Sequence, residues 1–257
     1  MDVERRAVGD VRRSGERSTR RTPGSTPAVT PLSILGAGTV DLWLRSDLGV
    51  TLGTPPAVAA WADQSGQGND ATQLIEALRP DRAAGVIDFT AASLETLSIA
   101  DDASLHYTTA MTLAMRVRPD SLAGSPAWLT KSATGAGDWS VQYAGELRLW
   151  FGTPGVAGGA APAGSFTAAA WHTVIIAYDG GGAANADRLK MWVNGVAQTL
   201  TFYGTIPATI TPGNSPVTIA SWSNGLAYLD GAYREIVIAH VVPTAQQITD
   251  LTTLLTV

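Results

Sequence analysis

Apolar and polar residues alternate with a period of two along several short segments of the chain, the pattern of half-buried β-strands. Residues 111–118 alternate in this way until Pro119 ends the segment. Residues 174–177 form an unbroken apolar run, which predicts a strand covered on both faces. A further alternating segment, 189–193, leads into Asn194-Gly195, a pair that favours a type I′ hairpin turn. The pattern therefore predicts a mostly antiparallel β protein.

The rest of the chain repeats this pattern and closes with one helical segment. Further strands are predicted at residues 40–45, 86–89, 128–131, 139–143, 147–151, 217–220 and 232–238. The small-residue stretch 155–164 predicts a loop. Thr244 and Gln247 form a capping box, and Ile248, Leu251 and Leu255 recur at helical spacing. Many short strands with turn signals between them, followed by a short C-terminal helix, predict a β-sandwich.

Two motifs carry a resemblance to a known family. One is Trp61–Gln73, with the form Trp-x-Asp-x-Ser-Gly-x-Gly-Asn-x-Ala; the other runs from Trp171-His172 through Tyr178-Asp179-Gly180 to Asn194-Gly195. Both resemble laminin-G-like jelly rolls of the concanavalin A-like lectin and glucanase superfamily, and the resemblance spans about Leu35 to Leu255. It implies an all-β, two-sheet antiparallel jelly-roll sandwich that binds a ligand, often a sugar.

Charge divides the 257-residue chain into two parts. The net charge is −5, but residues 1–31 carry seven arginines against four acidic residues, a net +3 that leaves −8 for residues 32–257. Residues 1–31 have few apolar side chains and end in a Thr/Pro/Ser/Gly stretch, so they are predicted to be an extended arm and linker. Residues 32–257 are predicted to form one jelly-roll domain, called the body below. Cysteine is absent, which excludes disulfides and thiolate chemistry.

The arm is predicted to anchor the protein to a partner. Its arginines can make bidentate contacts with acidic groups, and they are Arg5, Arg6, Arg12, Arg13, Arg17, Arg20 and Arg21. A net +3 with no aromatic residue is a weak phosphate binder, so a protein partner is favoured over nucleic acid. No apolar signal-like segment follows Met1 and no run of eighteen apolar residues occurs, so neither a secretory signal nor a membrane span is expected.

The sequence offers no catalytic constellation, and no enzymatic activity is predicted. The histidines and the isolated glutamates considered as candidates are His106, His172, His240, Glu95, Glu146 and Glu235. The histidines are far apart in the sequence, and the paired acidic residues that glucanases of this superfamily carry on one strand are missing. Gly66-x-Gly68-x-x-Ala71 has the spacing of a dinucleotide-binding fingerprint, but no βαβ pattern surrounds it, so a dinucleotide site is not predicted.

Two weak binding sites are predicted. Asp63, Asn69 and Asp70 with the distant Asp230 could supply oxygen ligands for calcium, although Leu74 stands where a calcium loop needs its glutamate. The favoured interpretation is that Asp63 and Asn69 hydrogen-bond the backbone of their own turn. No cofactor is otherwise expected.

Tryptophans supply the other candidate site. Trp150 and Trp192 fall on the strand face opposite their apolar neighbours, where aromatic rings can stack on sugars. Packing between sheets or beneath loops is the competing explanation.

Two hypotheses for function follow. The first is a non-enzymatic structural protein of a bacteriophage virion: a capsid decoration, a head fibre or a tail component such as a tail fibre. It would be anchored to other virion proteins by residues 1–31, form a homo-oligomer within the assembly, and bind host-surface glycans through its body. The virion would then be its location, after assembly in the host cytoplasm. The alternative is a carbohydrate-binding module of a bacterial cell-surface or exported protein.

Overall fold

The architecture is a two-sheet antiparallel β-sandwich. A computed structural model of the protein describes residues 28–132, 138–222 and 225–257. The strands in chain order are β1 (Val40–Arg45), β2 (Val50–Leu52), β3 (Val58–Trp61), β4 (Ala71–Thr72), β5 (Asp81–Ala83), β6 (Val86–Phe89), β7 (Leu97–Ile99), β8 (Ala110–Pro119), β9 (Ala127–Lys131), β10 (Trp139–Tyr143), β11 (Leu147–Phe151), β12 (Ala157–Ala160), β13 (His172–Asp179), β14 (Leu189–Val193), β15 (Val196–Ala197), β16 (Thr201–Tyr203), β17 (Val217–Ile219) and β18 (Gly231–Ala239).

Helices are few and short. The α-helices are α1 (Pro31–Leu35), α2 (Asn185–Arg188) and α3 (Ala245–Thr256), and single 3-10 turns lie at Glu76–Leu78, Ala91–Ser93 and Ala103–Leu105. None of the helices in the described ranges is long and apolar enough to span a membrane.

The two sheets are built from strands that are distant in sequence. Sheet A has the order β15-β14-β13-β8-β18-β6-β5, with β1 also paired to β18. Sheet B has the order β16-β12-β11-β10-β9-β17-β7-β4-β3-β2. The central strands pair over long antiparallel registers, as between β8 and β13, where His172 lies opposite Val117 and Asp179 opposite Ala110. The predicted jelly-roll sandwich is confirmed.

The main core fills the space between the sheets. On β8 the inward residues Met111, Leu113, Met115 and Val117 all belong to it, as their alternation predicts. The Asn194-Gly195 pair has φ angles of 51° and 78°, as a type I′ turn requires.

A second apolar cluster lies on the outer face of sheet A, beneath α1 and α3. It contains Ile175 of β13 together with Ile248, Leu251 and Leu255 of α3. Because the helix covers this face, β13 is apolar on both sides, which explains its unbroken hydrophobic run. Thr244 caps α3 through the predicted capping box with its Gln247, and the predicted C-terminal helix is confirmed.

One predicted loop is wrong. Within residues 155–164, Ala157–Ala160 form strand β12, which pairs with β11 and β16. A side chain at Gly158 would overlap the Trp150 ring and the Leu149 carbonyl, so glycine is required for close packing there rather than for a turn.

Candidate functional site

A polar cleft opens at one end of the sandwich, where the start of β1, the end of β18 and the segment before β8 meet. Its volume is about 410 Å³. The polar residues that line it include Asp41, Gln67, Ser104, His106, Tyr107 and His240. The space is sufficient for a small polar ligand, and hydrogen-bonding groups converge on it from several elements. We call it the Asp41 cleft.

Asp41 and His240 form the hydrogen-bonded pair at its centre. Nδ1 of His240 lies 2.8 and 2.9 Å from the two carboxylate oxygens of Asp41. A β-bulge in the pairing of β1 with β18 lies at Asp41, and bulges commonly re-aim a side chain in this way. The Asp41 side chain is 2% exposed and the His240 side chain 49% exposed, so the imidazole is the part of the pair that a ligand can reach. Burial raises the pKa of Asp41, while the contact with His240 opposes that rise.

Tyr107 and His106 complete the lining from the segment before β8. Tyr107 is buried beside Asp41, and this burial raises its pKa well above the usual value. Nε2 of His106 lies 3.0 Å from Asp101, which also accepts a hydrogen bond from the fully buried Lys131. Burial alone would raise the pKa of Asp101, but the hydrogen bonds from Lys131 and His106 lower it. The wall of the cleft is therefore fixed to the core through charged groups.

The Trp61–Gln73 motif holds cleft residues in place through hydrogen bonds. Nδ2 of Asn69 donates to the carbonyl of Asp41 at 2.7 Å and to Oγ of Ser104 at 2.9 Å. Nε1 of Trp61 donates to the carbonyl of Arg45 at 2.6 Å and fixes the start of the motif on β1. The family-like loop thus holds the residues that form the site.

The Asp63 carboxylate is the hydrogen-bond centre of this loop. It accepts from five donors: N of Trp43 at 2.8 Å, N and Oγ of Ser65 at 2.9 and 2.6 Å, and N of Gly68 and Asn69, both at 3.1 Å. Gly66 and Gly68 have φ angles of 94° and 82°, which let the backbone curl its N–H groups toward one point. The favoured interpretation matches this geometry for Asp63, which accepts from the backbone of its own turn. It is wrong for Asn69, whose side chain donates to Asp41 and Ser104 outside the turn.

The predicted calcium residues do not fit a calcium site. A carboxylate offers about four lone-pair directions, and the five donors around Asp63 use them. Asn69 donates to Asp41 and Ser104, and Asp70 accepts from N of Asp63 at 2.8 Å. Asp230 lies in a different acidic region, with Asp88. Within the described ranges, no group of three His, Asp or Glu residues could hold a metal ion.

Trp150 lies on the outer face of sheet B, as alternation predicts, but it is only 2% exposed. The Tyr203 ring lies 5.0 Å from it, and the Arg148 guanidinium lies over both rings at 5.9 and 5.6 Å. Oε1 of Glu146 accepts from the Tyr203 hydroxyl at 2.8 Å and from Nε of Arg148 at 3.1 Å. The expectation of an open Trp150 surface is therefore wrong, because this cluster covers the indole.

Trp192 lies on the other sheet. It packs partly buried against the apolar cluster beneath α1 and α3, so the fold does not bring it to Trp150. The seven arm arginines lie outside the described residues. Ala28 and Val29, near the end of the arm, lie beside Leu254 and Val257 at the end of α3.

The candidate acids and bases are not arranged for glycoside hydrolysis. Asp41 is the one carboxylate among the cleft residues of the described chain, whereas hydrolysis needs two facing each other. Each isolated glutamate is engaged locally, as where Glu95 accepts from N of Thr90 at 2.7 Å. His172 is buried and bonded to the backbone of Thr167 at 3.0 Å, which fits its predicted structural role.

Sequence reasoning missed the cleft because its members are distant along the chain. Asp41 and His240 are 199 residues apart, and no local spacing links them. The one available signal was an aspartate inside an otherwise apolar strand, at a position that proves to be a bulge.

The chain matches a protein-family model. A model described as the concanavalin A-like lectin/glucanases superfamily matches residues 92–249. No curated protein matches the chain in sequence.

Several solved structures share the fold at low identity. The binding domain of Paraclostridial Mosquitocidal Protein 1 has a TM-score of 0.59 at 10% identity, covering 84% of this chain and 52% of that one. Domain 4 of AbnA, a GH43 extracellular arabinanase from Geobacillus stearothermophilus, in complex with arabinotriose, has a TM-score of 0.58 at 15% identity, covering 83% of this chain and 98% of that one. Trypanosoma rangeli sialidase in complex with sialic acid has a TM-score of 0.58 at 16% identity, covering 84% and 33%. This chain thus spans about half of the first structure and a third of the sialidase.

Proposed function

Because the chain belongs to the concanavalin A-like lectin/glucanases superfamily, we propose that it is a non-enzymatic glycan-binding protein whose sugar site is the Asp41 cleft. The observation that carries this proposal is the exposed imidazole of His240, held 2.8 Å from the buried Asp41 carboxylate inside a polar cleft. Sugar hydroxyls need donors and acceptors fixed in place, and this pair supplies both beside the amide of Gln67. A related fold holds arabinotriose in the arabinanase domain, which supports the ligand class.

The lining of the cleft also supports binding of a glycan rather than its hydrolysis. With Asp41 as the one carboxylate lining it, the described site has no partner acid for a two-carboxylate hydrolysis. A buried, hydrogen-bonded carboxylate instead orients the imidazole for recognition. The body would then act through surface contact, without changing its ligand.

A glycan array tests the sugar site. The full chain is applied with and without calcium, and His240→Ala is compared with Gln246→Ala, an exposed change on α3. We expect His240→Ala to weaken binding of the best glycan by about tenfold, as for loss of one charge-assisted hydrogen bond. Gln246→Ala should bind like the parent. Equal binding by all three proteins, or no bound glycan, would contradict the proposal.

At a finer level we propose that the protein is a bacteriophage virion component, a capsid decoration, head fibre or tail fibre protein, anchored by residues 1–31. The arm is basic and the body acidic, and the arm joins the body beside the end of α3. His240 of the cleft comes five residues before the start of α3, a helix of 12 residues or about 18 Å, whereas the arm lies beside its end. Anchoring through the arm would therefore leave the cleft accessible. A homo-oligomer within the assembly is part of this proposal. A carbohydrate-binding module of a bacterial cell-surface or exported protein is the alternative.

Deletion of residues 1–31 separates these two proposals. We expect the shortened chain to keep the circular dichroism spectrum of the parent but to lose incorporation into its assembly. In the native assembly the arm should resist protease. Unchanged incorporation together with a cleavable arm would favour the alternative.

A further inference from the structure

Three arginines surround one tryptophan on the outer face of sheet A, away from the Asp41 cleft. The guanidinium carbons of Arg234, Arg118 and Arg116 lie 4.8, 5.5 and 5.8 Å from the ring centre of Trp171. Arg234 is exposed, and the other three side chains are partly exposed. We call this group the Trp171 cluster.

The sheet itself assembles this cluster. Arg116 and Arg118 are two residues apart on β8, so they point to the same outer face, and Trp171 immediately precedes β13, the neighbouring strand. Arg234 occupies a β-bulge in β18, between Tyr233 and Glu235, where the register with β8 shifts. Bulges re-aim side chains at functional positions, and this one places a third guanidinium over the ring.

The positive charges of the cluster are only partly neutralised. Arg118 is paired with Asp120 at 2.7 Å and with Asp88 at 3.4 Å. Among the described residues, the other arginines in ion pairs are Arg45 and Arg148, so neither Arg116 nor Arg234 has a carboxylate partner.

Arg116 has a buried donor that is not hydrogen-bonded within the described residues. NH1 donates to Oγ1 of Thr173 at 3.1 Å, but its buried Nε has no hydrogen-bond partner in the described part of the chain. Burial, and then the nearby charge of Arg234, lower the pKa of Arg116. Two guanidiniums held close without an anion repel each other, and a bound anion would relieve that cost.

We propose that the Trp171 cluster binds the carboxylate of an acidic sugar. A guanidinium presents a fork of N–H groups that matches a carboxylate, and neither Arg116 nor Arg234 is paired with a carboxylate of the described residues. The partly exposed indole of Trp171 offers an apolar surface to the sugar ring beside them. A long polyanion is disfavoured, because residues 32–257 carry a net −8. A mostly neutral glycan with a single carboxylate would be attracted by the arginines of the cluster. It would be repelled by the negative charge of the body much less than a polyanion would be.

This site is separate from the Asp41 cleft. Ala110, at the start of β8, lines the cleft, and Arg116 is six residues further along the strand, about 20 Å away. The proposal does not depend on glycan binding in the cleft, and variants of one site leave the other intact.

The test is a titration of the full chain with glucuronic acid, followed by NMR at the Trp171 indole, with glucose as the neutral counterpart. Arg234→Gln removes one guanidinium from an exposed position. Arg45→Gln is the matched control, because it makes the same change in net charge at an arginine stacked over Trp43 but already paired with Asp47.

We expect glucuronate to shift the Trp171 signal where glucose does not. Arg234→Gln should weaken glucuronate binding about tenfold or more, and Arg45→Gln less than twofold. If both variants weakened glucuronate binding equally, the loss would be a general effect of net charge, and the proposed site would be wrong. Binding of inorganic sulfate without glucuronate would overturn the sugar assignment, and a loss caused by His240→Ala would place the acidic sugar in the cleft instead.

Discussion

Substitution of Asp63 tests how the Trp61–Gln73 motif supports the cleft, because its carboxylate accepts most of the hydrogen bonds within this loop. Replacing Asp63 by Asn keeps the shape of the side chain but turns one acceptor oxygen into an NH₂ group. The oxygen that remains can still accept from N of Trp43 and Ser65. The NH₂ group would face N of Gly68 and Asn69, two donors that then have no acceptor.

The size of the effect follows from the burial of these donors. Gly68 is exposed and its N–H can turn to water, whereas Asn69 is buried, and stranding a buried donor costs about 1–3 kcal/mol. Loss of the charge-assisted character of the remaining bonds adds about 1 kcal/mol. We therefore expect Asp63→Asn to lower the free energy of unfolding by roughly 3 kcal/mol, or about 6–12 °C in Tm for a chain of this size.

Thermal and urea unfolding, each with calcium and with a chelator, measure this effect. Asp70→Asn is the matched control: it keeps the oxygen that accepts from N of Asp63, it is exposed, and it should cost less than about 1 kcal/mol. A cost for Asp63→Asn below about 0.5 kcal/mol would refute the hydrogen-bond reasoning. So would stabilisation of the parent by calcium that disappears in Asp63→Asn, because Asp63 would then be a metal ligand.

Three further changes test other parts of the structure. Glu235 accepts from Nε1 of Trp43 at 2.5 Å, and burial raises its pKa, so its stabilising contribution is present in acid and lost as the pH rises through the folded-state pKa. Glu235→Gln should therefore gain stability relative to the parent as the pH rises above about 4.3, the usual pKa of a glutamate, and a difference in urea unfolding that does not change with pH would contradict this. Gly158→Ala should cost about 1–3 kcal/mol in the same assay by overlap with the neighbouring indole, whereas Gly38→Ala, with nothing within 4 Å, should be neutral. Leu251→Ala removes a fully buried side chain between α3 and sheet A and should cost about 2–5 kcal/mol, and a near-zero loss in calorimetry would mean that the helix is not docked.

The strands that could be predicted are those whose side chains face one core. In β8 the alternation is regular because one face meets the interior and the other meets the helix or solvent. The Asn194-Gly195 turn and the α3 cap depend on local backbone chemistry, so two to four residues are enough to recognise them.

The failures come from contacts between distant segments. Strand β12 is rich in glycine because neighbouring side chains leave no room for a Cβ: the Trp150 indole lies against Gly158, and the Leu189 side chain lies against Gly159. Composition alone cannot distinguish such a strand from a loop. Trp150 lies on the predicted face, but its cover by Tyr203 depends on β16, more than fifty residues later.

The candidate sites were hidden for the same reason. The Asp41 cleft and the Trp171 cluster each need a bulge to aim one residue, Asp41 in one case and Arg234 in the other. A bulge adds one residue to a strand without changing its composition, so alternation alone does not locate it. The supporting motif was recognised, but the side chains that it positions were not.

The packing of α1 against α3 has a consequence for engineering. Nε2 of Gln247 donates to the carbonyl of Ile34 at 2.7 Å, and Val29 and Val257 border the same groove, so the first and last described residues are neighbours in space. If the preceding residues are removed, a body in which Val29 and Val257 adjoin can be spliced into a surface loop of a host protein, or rejoined by a short linker and reopened elsewhere. The Asn194-Gly195 turn is exposed and offers one point for such a new start.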